Sequence, residues 1–209
     1  MRHADNLSLC GHELQIFGAC RSFVPMHRPT GTLTGHGDNM ILFSTSRLDI
    51  RRLRAADAAA MYDIYGDFET VRWVGDGKPL TLDECAHWID ITLANYEKRG
   101  YGMSAVVERL SGVMVGCCGI VHPGGQEVAE IKYAFRRDQW ARGFANEVVL
   151  GMIDYGFKTL KLGRIIASVD PENVVSVHLL TKHGMTFVSI AKNDDGTETA
   201  TYAIDAPNA

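Results

Sequence analysis

The pattern of apolar and polar positions changes character near residue 46. Downstream of it two periods recur. Leu48, Ile50 and Leu53 mark a first strand. A short helix over 57–65 follows, with Met61, Ile64 and Tyr65 on one face. Thr81-Leu-Asp-Glu84 reads as a capping box: the threonine oxygen accepts a free backbone N–H while the glutamate reaches back. It opens a helix with Cys85, Trp88, Ile89, Thr92, Leu93 and Tyr96 on one face, closed by Lys98, Arg99 and Gly100. Strands near 103–108 and 113–121 are joined by a Leu110-Ser-Gly112 turn, and a third spans about 128–136. A helix over about 142–160 carries Val148, Val149, Met152, Ile153, Phe157 and Leu160 on its inner stripe. A buried strand at 164–169, a helix over 174–183 closed by Gly184, and strands at 185–192 and 198–204 complete the pattern.

The order is β-α-α-β-β-β-α-β-α-β-β, an α/β arrangement with a mixed sheet of about seven strands and about four helices. Residues 1–46 lack such periodicity and hold four of the eight histidines. They read as a loosely ordered extension, 47–205 as the folded domain and 206–209 as a tail. Cys10, His12, Cys20 and His27 include no closely spaced cysteine pair of the kind zinc needs, so no metal site is expected.

Charge and cysteine usage narrow the classes further. A formal net charge of −4 is the wrong sign for a protein that coats nucleic acid. No apolar run reaches the roughly 18–20 residues of a membrane span, and Arg21 and Pro25 interrupt the best N-terminal candidate for a signal peptide. Five cysteines make an odd count, and the strand pattern sends the adjacent Cys117 and Cys118 to opposite faces. Reduced thiols and a cytoplasmic location are expected.

The strongest chemical signal is the junction Arg136-Arg-Asp-Gln-Trp-Ala-Arg-Gly-Phe-Ala-Asn146, where a strand ends and a helix begins. A helix N-terminus offers unpaired N–H groups and the positive end of a dipole. Gly143 and Ala145 lack bulk, so a phosphate can approach the backbone, with Arg142 adding charge.

Trp140-Ala-Arg-Gly-Phe-Ala145 resembles the Q/R-x-x-G-x-G/A coenzyme A loop of the GNAT superfamily of N-acetyltransferases, with Trp140 where Gln or Arg is more usual. An aromatic there, followed by x-R-G-[FY]-A, is typical of the RimJ/RimL-like branch, which includes acetyltransferases of ribosomal-protein N-termini. Three further blocks fit the branch in order: Arg47-Leu-Asp-Ile-Arg-Arg-Leu-Arg-Ala-Ala-Asp57, Ala129-Glu-Ile-Lys-Tyr-Ala-Phe135, and Asp170-Pro-Glu-Asn-Val-Val-Ser176 with Lys182-His-Gly-Met185. Nothing in residues 1–46 takes part. Met40 looks like a natural chain start for this branch, so residues 1–39 are expected to be dispensable, a candidate mis-assigned start.

The resemblance implies a GNAT fold whose fourth and fifth strands, 128–136 and 164–169, splay apart around the pantetheine of acetyl-CoA. It implies direct attack by a primary amine in a ternary complex. The pyrophosphate is expected on Arg142, Gly143, Phe144, Ala145 and Asn146, and the pantetheine on the backbone of Phe135, Arg136 and Arg137. Asn173 and Ser176 match positions that commonly contact the coenzyme, although Asn173 also suits a helix cap. Glu130 matches the catalytic glutamate of the histone-acetyltransferase A-E-I-x-F block. It shares a strand face with Lys132, Ala134 and Arg136, and a cross-strand salt bridge is its alternative role. A backbone N–H at or near Phe135 is the expected oxyanion donor. The tyrosine that protonates the leaving thiolate in other branches is replaced by Leu180, which leaves Ser176 as the nearest matching hydroxyl. His183 reads as a core or boundary residue, and Trp73, Trp88, Tyr96 and Tyr101 as core or acceptor-side aromatics. A protein N-terminal α-amine leads as acceptor; a polyamine, amino acid or antibiotic, or a coenzyme-binding module without turnover, are the alternatives. A monomer or homodimer fits equally.

Overall fold

The computed structural model describes residues 40–207. Eight strands form one sheet in the order β1-β2-β3-β4-β5-β6-β8-β7. They are β1 (Ile41–Ser44), β2 (Leu48–Arg52), β3 (Met103–Glu108), β4 (Met114–Val121), β5 (Ala129–Phe135), β6 (Arg164–Val169), β7 (Thr186–Lys192) and β8 (Glu198–Asp205). Five helices accompany them: α1 (Ala58–Tyr65), α2 (Phe68–Val71), α3 (Leu82–Arg99), α4 (Phe144–Lys158) and α5 (Val174–Lys182). The additions to the expected elements are α2, a single turn, and β1. The latter pairs antiparallel with β2, and Phe43 packs so closely on α4 that a Cβ on Gly151 would lie 2.5 Å from its ring. A four-residue edge strand beginning Met-Ile-Leu-Phe is too short for its alternation to stand out in the sequence.

The sheet separates two apolar layers. On one face Val148, Val149, Met152 and Ile153 of α4 and Leu180 of α5 pack on Ile120, Ile131 and Ile165. On the other, Met61, Ile64 and Tyr65 of α1 and Cys85, Trp88 and Ile89 of α3 pack on Ala105, Cys117 and Ala134. Cys117 and Cys118 do face opposite layers, and both are free thiols. The capping box of α3 is formed, with Thr81 N–H donating to Glu84 Oε2 at 2.8 Å and Glu84 N–H to Thr81 Oγ1 at 3.2 Å. Trp88 and Tyr96 are buried and His183 is half-buried.

The opening block 47–57 has a structural reason of its own. Arg51 donates to both carboxylate oxygens of Asp57, at 2.7 and 2.8 Å, and both residues are buried. A bidentate pair satisfies the planar guanidinium and joins β2 to the entrance of α1. Among the described residues no helix is long and apolar enough to cross a membrane.

Candidate active site

Every neighbouring pair in the sheet is antiparallel except β5 and β6, and those two stay together for only two positions, Ala129 opposite Ile165 and Glu130 opposite Ile166. Beyond them the strands part. Glu130 marks the place. In a continued parallel ladder the Ser168 N–H would donate to the β5 backbone; instead it donates to Glu130 Oε1 at 3.1 Å. The carboxylate also pairs with the Lys132 ammonium and accepts from Gln126 Nε2 at 3.3 Å, and the residue is only 2% exposed. A buried charge needs such donors. Glu130 therefore forms a salt bridge at the apex of the gap, within its own strand and not the cross-strand one expected.

The gap exposes backbone. Arg136 N–H donates to Val115 C=O at 3.0 Å, which fixes the even-numbered residues of β5 as those bonded to β4. Residues 131, 133 and 135 then direct their N–H and C=O groups toward β6. Past the last paired position these are Tyr133 and the N–H of Phe135. The Phe135 carbonyl is taken by Trp140 Nε1, at 2.8 Å. The unusual Trp140 thus closes the turn from β5 to α4 while remaining 45% exposed.

The turn ends on an open helix N-terminus. Gly143 has φ +80° and Ala141 φ +57°, both left-handed. That conformation suits glycine and costs other residues roughly 1–2 kcal/mol. It also explains why α4 starts at Phe144 rather than at Arg142. No side chain caps the helix. The first N–H groups to find an acceptor are those of Asn146 and Glu147, both on Gly143 C=O, at 3.2 and 3.4 Å. The N–H groups of Gly143, Phe144 and Ala145 remain available to an anion. The Arg142 guanidinium turns sideways, 2.5 Å from Glu108 Oε1, and stacks 4.5 Å from the centroid of the Phe144 ring. Arg136 is committed to Asp138 at 2.6 and 2.8 Å, and Arg137 lies 3.7 Å from Asp67. Of these predicted residues, Gly143, Phe144 and Ala145 converge through their backbones, whereas the three arginines spend their charge on carboxylates. Asn146 faces α5, accepting from Lys182 Nζ at 2.8 Å and lying 3.2 Å from His183 Nε2.

At the end of β6 the finish is different. Asn173 Oδ1 accepts the Ser176 N–H at 3.2 Å, capping α5. Burial pushes the Tyr133 phenol above its ordinary pKa, and the neighbouring Ser176 side chain only partly offsets this. Tyr133 was not foreseen. Alternation places it on the apolar face with Ile131 and Phe135, and the only sequence signal was that a half-buried phenol needs a partner. Leu180 is buried in the core. Arg47 and Glu147 were missed as well, because their contact with the α4 turn spans about a hundred residues of chain.

On the α1–α2 side, Asp63, Asp67, Arg136, Arg137 and Asp138 line an open cavity of about 340 Å³. Tyr101 lies elsewhere, 2.8 Å from His122 Nε2 near the end of β4. No cluster of potential metal ligands occurs among the described residues.

Comparison with known proteins agrees with this geometry. A family model described as an acetyltransferase (GNAT) domain matches residues 47–186. An uncharacterised N-acetyltransferase p20 of Bacillus licheniformis is 34% identical over 140 residues, covering 65% of this chain and 77% of the relative. An uncharacterised N-acetyltransferase YoaA of Bacillus subtilis is 30% identical over 174 residues, covering 79% and 97%. Among solved structures, RimL, a ribosomal-protein alpha-N-acetyltransferase in complex with coenzyme A, superposes with a TM-score of 0.69 over 80% of this chain and 98% of its own. Its 13% identity speaks for the fold alone. The chain belongs to the GNAT family of N-acetyltransferases.

Proposed function

We propose that this protein transfers the acetyl group of acetyl-CoA to a primary amine, with a protein N-terminal α-amine as the leading acceptor. The observation that carries the reading is the uncapped N-terminus of α4, opening beside the gap between β5 and β6. Gly143, Phe144 and Ala145 supply N–H groups to the pyrophosphate. Tyr133 offers the pantetheine the bonds that a neighbouring strand would take, and the Phe135 N–H is left for the thioester carbonyl. Arg136, Arg137 and Asn146 contribute mainly by holding this wall.

The chemistry needs a neutral amine, a stabilised oxyanion and an acceptable leaving group. The amine nitrogen attacks the thioester carbonyl, and the C–N bond forms as the carbonyl π electrons move onto oxygen. The Phe135 N–H is aimed to stabilise that oxyanion. Collapse breaks the C–S bond and expels the thiolate. The nitrogen gives up one proton, for which Glu130 is the acceptor at the apex of the gap. The thiolate takes one up; Leu180 offers no hydroxyl for this, and Ser176, one turn earlier on α5, is the nearest candidate donor. A thiolate is a competent leaving group, so this last contribution is modest.

An α-amino group, with its reference pKa near 7.7–8.0, needs less help to lose its proton than a lysine near 10.4. A carboxylate already engaged by three donors suits the easier task. The cavity beside α1 and α2 sets three carboxylates, Asp63, Asp67 and Asp138, against the guanidiniums of Arg136 and Arg137, a balance that mildly favours a cationic acceptor. A thiol-release assay against N-terminal peptides, polyamines, amino acids and aminoglycosides tests the proposal, with mass spectrometry of the product. Acetylation of peptide α-amines is expected. Release only with small amines would move the acceptor class, and coenzyme binding with no release across the panel would make the protein a non-catalytic module.

A further inference from the structure

The turn between β1 and β2 reaches across the sheet edge to the open end of α4. Glu147, in the first turn of that helix, accepts four hydrogen bonds from this one turn. They come from Thr45 Oγ1 at 2.5 Å, Ser46 Oγ at 3.0 Å, the Arg47 N–H at 3.2 Å and Arg47 Nε at 2.5 Å. Arg47 continues past the carboxylate. Its Nη2 donates to the Arg142 C=O at 2.9 Å, and its guanidinium lies 4.7 Å from the centroid of the buried Phe144 ring. A Cβ built on Gly143 would stand 3.4 Å from the same Nη2.

The bond to Arg142 C=O has a stereochemical consequence. In a trans peptide the C=O of one residue and the N–H of the next point in opposite directions. With the Arg142 carbonyl held against Arg47, the Gly143 N–H must point away from it, toward the open side of the turn. The left-handed Gly143 could otherwise let this peptide plane rotate, since glycine tolerates both signs of φ. Two guanidinium donors fixed on a carboxylate and a carbonyl, with the plane resting on an aromatic ring, form a rigid attachment that a flexible ammonium would not reproduce.

We infer that Arg47, locked by Glu147, is a positioning residue that presets the Gly143 peptide and so the anion cradle for the coenzyme's pyrophosphate. The inference rests on the acetyl-CoA reading of the α4 terminus and adds a residue 95 positions away in the chain. It also gives β1 and its turn a purpose beyond sheet packing: they carry the clamp.

Calorimetric titration of the full chain with coenzyme A and with dephospho-coenzyme A tests it. Arg47→Gln should weaken both ligands equally, by about tenfold or more, the scale of losing hydrogen bonds from a charged group. Arg47→Lys should not restore affinity, because it keeps the charge and loses the two-point geometry. Glu147→Gln should weaken both ligands in the same direction by less, and it serves as the second test should Arg47→Gln lower the melting temperature. Wild-type affinity in Arg47→Gln, or full recovery in Arg47→Lys, would overturn positioning. So would a loss confined to coenzyme A, which would assign Arg47 to the 3′-phosphate. Failure of the unmodified protein to bind either ligand would instead remove the acetyl-CoA reading on which the inference stands.

Discussion

Two helices begin beyond the ends of the parallel pair, and their N-termini are finished in opposite ways. α5, after β6, is capped by its own Asn173. α4, after β5, has Gly143 at its cap position and no side chain over its first N–H groups. Both segments resembled coenzyme-contacting motifs. The difference teaches that a motif at a helix start is informative about ligands only where the chain leaves its own donors unused. A cap of the Asn173 kind contributes about 1 kcal/mol to the fold. Leaving α4 uncapped forgoes that stabilisation and keeps the donors for an anion.

The largest test of this contrast is Gly143→Val. A β-branched residue at φ +80° is strained, and its Cβ would stand 3.4 Å from Arg47 Nη2. Coenzyme A affinity should fall by about a hundredfold, the roughly 1–2 kcal/mol of a left-handed non-glycine residue compounded by misdirected N–H groups. Gly143→Asn, which tolerates that φ, should lose less than about fivefold. Calorimetry measures both. Equal, small losses would mean that the α4 terminus does not hold the ligand.

Glu130→Gln asks whether chemistry sits at neither helix but at the apex between the strands. Glutamine keeps an oxygen for the Ser168 N–H and loses the charge. A fall in kcat of about a hundredfold is expected, the usual range for a positioned acid or base, with coenzyme A affinity within about twofold. Full activity at neutral pH would return Glu130 to the structural role its partners already provide.

Asn173→Ala sharpens the comparison from the other side. Loss of the α5 cap should cost about 1 kcal/mol and lower the melting temperature by roughly 2–4 °C. Coenzyme A affinity should stay within about twofold. A tenfold loss of affinity with an unchanged melting temperature would show that Asn173 serves the ligand after all.

How far these sites can be read without coordinates depends on the sequence distance of the contacts. The α3 capping box, the α4 inner stripe and the opposed Cys117 and Cys118 are local, set by spacings of one to four residues, and each was legible. Glu130 was placed on the correct face by alternation. Its partner Ser168 was not legible, because the rung it replaces belongs to a strand 38 residues away. Tyr133 was hidden by the same alternation that revealed Glu130, since a phenol on an apolar face reads as core. β1 escaped because a short edge strand carries too few positions to show a period. The three arginines at 136, 137 and 142 looked like anion ligands by composition. Their guanidiniums are instead directed to Asp138, Asp67 and Glu108, and only the fold brings the last two within reach.

The smallest expected effect concerns acid. Burial disfavours the charged form of Glu147, but the bonds from Thr45, Arg47 and Ser46 outweigh it and hold the carboxyl below its ordinary pKa. A depressed folded value means that ionised Glu147 stabilises the native state fully above the unfolded glutamate pKa. That contribution is lost as the pH falls through the folded value. Glu147→Gln removes this titration. The melting temperature of the unmodified protein should therefore drop more steeply on acidification below the usual glutamate range than that of Glu147→Gln, and the two curves should converge at the acid end. Asn173→Ala offers the contrast, because its cap carries no titrating group and its deficit should stay constant through the same range. Parallel curves for the unmodified protein and Glu147→Gln would mean that the β1–β2 turn does not hold α4 through a charge. The open terminus would then owe its shape to the left-handed Ala141 and Gly143 alone.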